Sequence, residues 1–168
     1  MIIIWTVRDR ERAQWWGDEV NELGEAFYAL SPSGQKLAVK GIHELMNWQR
    51  EDGTLYAPVP AGNWDKELPL QMLASIGWYG FYTQYYYSDD SSFVPVIYDR
   101  MRSYLHKVWQ VDKSGLVIER QGAWSWGDWG EHVDMGVLTN CWYYLALKAE
   151  RAFALQLGKD KDADEISR

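Results

Sequence analysis

"RDRERAQWWGDEVNELGEAFYALSPSG", residues 8–34, decides how the rest of the chain is read. From Asp18 onward, Val20, Leu23, Ala26, Phe27 and Leu30 recur at helical spacing, which predicts an amphipathic helix over 18–30 with Asp18 as its N-cap. Ser-Pro-Ser-Gly then stops it. In front of that helix, residues 8–19 hold three arginines, four carboxylates and the adjacent Trp15 and Trp16. A surface helix would not need the tryptophans, and a core helix would not tolerate the charges.

A second helix is predicted from about Ser33 to Arg50, with Leu37, Ile42, Leu45, Met46 and Trp48 at helical spacing. The two make a hairpin. Residues 51–65, "EDGTLYAPVPAGNWD", read as a long ordered loop; such loops in a compact domain are usually functional, and Tyr56 and Trp64 make this one a candidate site wall. Residues 68–87 predict an inner helix, with rings on more than one face. From near Ser91, Val94, Ile97, Met101, Tyr104, Leu105 and Val108 predict an outer, half-exposed helix. Residues 112–133 break the period, with a short β-hairpin expected near 112–125 and "WSWGDWG" as an aromatic loop. The longest amphipathic helix is expected over 134–158, with Gly158 at its C-cap. Alternating inner and outer helices are the pattern of stacked helical hairpins, an all-α fold as in an (α/α) barrel.

The 168 residues amount to one ordinary domain, 47% hydrophobic and 24% charged. A mean hydropathy of -0.42 and the lack of a long apolar run argue against a membrane-spanning segment. A formal charge of -7, with 17 basic residues scattered among 24 acids, argues against a nucleic-acid partner. One cysteine and three widely spaced histidines form no metal-ligand pattern, and no cofactor is expected. "IIIW" at 2–5 is too short for a signal-peptide core, so the chain offers no targeting segment and its compartment stays open. The informative quantity is 15% aromatic residues, including 11 tryptophans, more than core filling needs. Flat indole faces with a donor at the edge suit sugar rings and interfaces.

Two segments set carboxylates against indole. In the first, Glu11, Trp15 and Asp18 are spaced four and three apart, so a helix would put them on one face; with a helix starting at Asp18, Glu11 lies on the approach and Gly17 lets the backbone turn. A carboxyl against tryptophan is desolvated and favours its neutral form, as a general acid requires, while Arg10 and Arg12 favour the anion. The plainer alternative is that Asp18 caps a helix and Glu11 pairs with an arginine. In the second segment, Asp128 lies between Trp126 and Trp129 with glycines on either side, either a sugar-hydroxyl acceptor or a structural turn. The recurrence, "WWGD" and "WGDW", favours a carbohydrate cleft. Asp89 and Asp90 read as caps of the following helix, and Glu67 as a solvent-facing residue at a helix start.

"RDRERAQWWGD" resembles the motif that opens the catalytic domain of bacterial α-L-rhamnosidases, six-hairpin (α/α)6 glycoside hydrolases with a segment like D-C-P-x-R-E-R-x-x-W-x-G-D. "GDWGEHVDMGVLTNCWYYLALKAERAFALQLGKDKDAD" is similar to a later segment of that domain, and "WYGFYTQYYYSDD" to the inner helix between them. The resemblance implies Glu11 as general acid, Asp18 and Asp128 as holders of sugar hydroxyls and Trp15 as a platform for the rhamnose ring; Arg10, Trp64, Trp126 and Trp129, beside these acids or in the aromatic loops, are further candidate substrate-binding residues. It implies removal of terminal α-L-rhamnose from an oligosaccharide, polysaccharide or other glycoside with inversion. Thr6 stands where the family has its leading Asp, so one substrate-binding carboxylate is absent. The resemblance puts the general base in a later loop, outside this chain, so residues 1–168 are expected to be the N-terminal part of a barrel, weak or inactive alone and prone to self-association. A carbohydrate-binding or degenerate helical module, or another six-hairpin glycosidase, are the alternatives.

Overall fold

The computed structural model describes residues 13–62, 65–68, 77, 80–120 and 130–167. The first hairpin forms much as the periodicity predicts, with α1 over Trp16–Ala29 and α2 over Pro32–Asn47. Pro32 suits the first turn of α2, where no backbone donor is needed. Gly34 lies against the Leu30 side chain, which lets the two helices turn on a two-residue link.

Of the aromatic segment 68–87, the described helix is α3, Phe81–Ser88. Its rings do not all face inward as expected: Phe81 is buried, while Tyr86 and Tyr87 are largely exposed. Asp89 ends α3 in the left-handed conformation, φ 53°, and so closes this helix instead of capping the next. The next is α4, Val94–Ser103, continued by one wide π-type turn over Tyr104–Val108. Val94, Ile97, Tyr98 and Met101 are buried and Val96 and Asp99 face out, in keeping with the half-exposed helix that the periodicity predicts. Of the hairpin expected near 112–125, the described residues show a small turn: Val111 bridges Val117, and Asp112 collects the amides of Ser114 and Leu116. Helix α5, Met135–Gln156, is the longest, capped by Asp134, which accepts from the Val137 N–H at 3.1 Å. Gly158, φ +69°, ends it, and the acidic tail then forms a further short helix, α6, Asp160–Ile166.

Side-chain contacts set the directions. Trp16 meets Phe81 edge-on at 5.3 Å, and further along both helices Phe27 stacks on Tyr87 at 4.9 Å, so α1 and α3 run the same way. Gly77 lies against the Ala146 backbone and Tyr85 on Phe153, so α5 runs that way too. Opposite to them runs α4: Tyr143 donates to the Leu105 carbonyl at 2.9 Å, and Glu150 reaches back to Arg102. Helix α6 lies alongside α4, with Tyr98 donating to Asp162 and Arg102 to Glu165. Among the described residues three hairpins therefore stack side by side, α1, α3 and α5 in one layer and α2, α4 and α6 in the other. The core between the layers includes Trp16, Ile42, Leu45, Phe81, Phe93, Met101 and Phe153.

Candidate functional site

The described part of the indole-rich opening enters the fold as a two-residue strand. Gln14 and Trp15 (β1) pair antiparallel with Val59 and Pro58 of β2, Pro58–Val59. The Gln14 side-chain amide donates to the Gly41 carbonyl at 3.0 Å, which ties β1 to α2. On the far side of β2 the 51–65 segment folds back onto residues 66–68: the Ala57 N–H donates to the Lys66 carbonyl and the Leu68 N–H to that of Leu55. Over its described residues the expected loop is thus a small ribbon joined to Gln14 and Trp15. Arg50 braces it, lying 4.0 Å above the Tyr56 ring while pairing with Asp65. Glu67 does not face solvent at a helix start as expected: it is half-buried, pairs with Arg120 and bridges Tyr56, because the chain here is ribbon and not helix. Asp52 takes the Thr54 hydroxyl and amide, which holds its carboxyl below the usual range. Asp90 does the same with Ser92, so it closes a local turn ahead of α4.

Helix α1 begins two residues earlier than Asp18. Trp15 is the extended N-cap residue, φ -92° and ψ 114°, because its pairing with Pro58 holds it in a strand. Trp16 then turns into the core as the first helical residue, 1% exposed. Asp18 is consequently not the N-cap; it sits in the first helical turn, exposed, where the helix dipole still favours a negative charge. Gly17, expected to turn the backbone, is an ordinary helical residue. The motif is divided face by face, Trp15 half-buried, Trp16 inside, Asp18 outside.

Sequence reasoning passes over Glu19. It is 0% exposed, and neither carboxyl oxygen is hydrogen-bonded to a described residue. It lies directly against Gly41 of α2, where a β-carbon would collide with its carboxylate. Burial, and then the charges of Glu22 and Glu44, push its carboxyl up to about 8, with Lys40 opposing. A signal is present: Trp16, Glu19, Val20 and Leu23 form one helical stripe. A carboxylate on such a stripe is read as a boundary residue unless its facing glycine is known.

Of the other residues singled out from sequence, Arg10, Glu11, Trp64, Trp126, Asp128 and Trp129 lie outside the described residues. The start of α1, with Trp15 and Asp18, lies level with the middle of α5, since Trp16 meets Phe81 while Gly77 lies on Ala146 and Tyr85 on Phe153. Separately, a groove of about 910 Å³ opens beside the first turns of α5, walled by Leu116, Val137, Tyr144 and Leu145 with Asp112 and Asp134 among its lining. At the start of α1 an exposed acid and a half-buried indole can accept hydroxyl groups and offer a flat apolar face. No described helix is long and apolar enough to cross a membrane.

The family model for the bacterial alpha-L-rhamnosidase 6 hairpin glycosidase domain matches residues 7–167. No curated protein and no solved structure matches the chain.

Proposed function

Because the chain belongs to the bacterial α-L-rhamnosidase six-hairpin glycosidase family, we propose that it supplies the proton donor and the sugar-binding floor of a glycoside hydrolase acting on terminal α-L-rhamnose. The reading rests on one observation: the matched span, residues 7–167, opens on the Arg10-Glu11-Arg12 motif and contains both aromatic-acid segments. Glu11 is the general acid that protonates the leaving oxygen. Trp15 is a platform for the ring, Asp18 and Asp128 accept sugar hydroxyls, and Arg10, Trp64, Trp126 and Trp129 complete the floor. The exposed position of Asp18 and the half-burial of Trp15 support those roles.

Inversion needs a second carboxyl, roughly 6.5–9.5 Å from the first, to activate water on the opposite face of the sugar. The described residues form three hairpins of a six-hairpin family, and in this proposal the base comes from the other part of the ring. The 168 residues alone then bind rhamnose and turn it over slowly. The test is hydrolysis of an aryl α-L-rhamnoside together with L-rhamnose titration by tryptophan fluorescence. Binding should persist in Glu11→Gln while residual hydrolysis disappears. Residual hydrolysis unchanged in Glu11→Gln would remove Glu11 from its role, and hydrolysis by the chain at the rate of a complete enzyme would refute the missing base. Thr6, in place of the family's leading Asp, favours a second reading, a sugar-binding module without turnover; binding with no hydrolysis in either protein would select it.

A further inference from the structure

The Glu19 carboxyl is buried at the crossing of α1 and α2, in the helical turn that carries Asp18 and just beyond the N-cap Trp15 and its neighbour Trp16. No described residue neutralises it. The cation that bears on it, Lys40, is engaged by Glu44 one helical turn on along α2. From α1 itself the facing charge is Glu22, and Glu22 is also held above its usual range, first by burial and then by Asp18 and Glu25. Helix α3, packed against both α1 and α2, brings no charged side chain over Phe81–Ser88, and β1 brings the neutral Gln14, already bound to the Gly41 carbonyl. Gly41 leaves no gap: the carboxyl occupies the place a side chain would take, so α1 and α2 are in contact through the Glu19 headgroup.

We propose that protonated Glu19 is a latch that seats the first turn of α1 on Gly41, and that loss of its proton loosens the turn presenting Trp15 and Asp18. As a neutral acid, Glu19 fills the crossing like a hydrophobic residue of its size. As an anion it would be an unpaired charge in an apolar interface, facing Glu22 and Glu44, and the helix must shift to admit water. The titration near 8 sets where this occurs. Gln14 and Glu19 grip the same glycine, so loosening one loosens β1 as well. The consequence for sugar binding rests on the glycosidase reading; the latch does not.

Hydrogen exchange resolved to the peptide covering residues 16–23, on either side of the Glu19 titration and corrected for intrinsic rates, tests it on the full chain. Exchange in this peptide should quicken several-fold on the alkaline side, with α4 unchanged. Glu19→Gln and Glu19→Met, both neutral and of similar size, should abolish that change while keeping protection at the acid-side level. Equal loss of protection in the two variants, a wild-type protein indifferent to pH there, or failure of both variants to fold would each overturn the latch. None of these readouts needs sugar or turnover, so a failed latch leaves the glycosidase proposal standing, and the reverse.

Discussion

At the residue scale, Glu19 and Gly41 are a matched pair. An alanine at 41 would drive its β-carbon into the Glu19 carboxyl, and overpacking of this kind costs about 1–3 kcal/mol. Gly41→Ala should therefore lower the urea midpoint clearly, and adding Glu19→Ala should recover much of the loss, a coupling that a double-mutant cycle measures. The same carboxyl tilts stability against pH. In the unfolded chain it releases its proton near 4.5, whereas in the fold it holds it to about 8. The folded protein thus binds more protons across that window, so this group's contribution is greatest below 4.5, falls as pH rises and levels off above 8, by at most about 1.4 kcal/mol per pH unit. In denaturant melts at a series of pH values, Glu19→Gln should lack that slope, and a wild-type slope retained in full by Glu19→Gln would assign it to other groups.

At the element scale, the pairing of α4 with α5 and α6 turns on Glu150, which is 0% exposed and takes a hydrogen bond from Arg102 at 3.0 Å and a contact with His106 at 2.8 Å. Arg102 in turn reaches Glu165, so three helices share one guanidinium. Removing the acid leaves Arg102 half-sheltered without its inner partner; breaking such a pair from one side costs about 3–5 kcal/mol at full burial. Glu150→Ala should approach the lower end of that range, since Arg102 keeps Glu165, and Glu150→Gln should lose less because the amide oxygen still accepts. Thermal unfolding of the two variants checks the order. Helix ends are legible where their signals are local. Helix α5 begins and ends where expected, with Gly158 closing it and Asp134 capping its start, since each acts on backbone within a few residues. Asp18 is an equally good cap by residue type, yet Trp15 takes the position because a strand from beyond residue 55 holds it extended.

At the scale of the whole molecule, neighbouring helices within one layer meet where a small residue allows it. A β-carbon at Gly77 would fall 2.6 Å from the Ala146 Cα, backbone that cannot swing aside. Gly77→Ala should force the approach to α3 away from α5 at a cost of about 1–3 kcal/mol, seen as a lowered denaturation midpoint. A midpoint unchanged from wild type would mean that this approach is not held closed.

Periodicity, caps and motifs are carried by residues close together in the chain, and they suffice for the all-α hairpin architecture, the family, and the segments where acids meet indoles. The division of "WWGDE", with Trp16 and Glu19 inward and Asp18 outward, exists only once the helices have packed. Which face a residue occupies depends on partners brought from elsewhere, Pro58 against Trp15, Phe81 against Trp16, Gly41 against Glu19. Burial is a property of those encounters, and for Glu19 burial sets the charge as well.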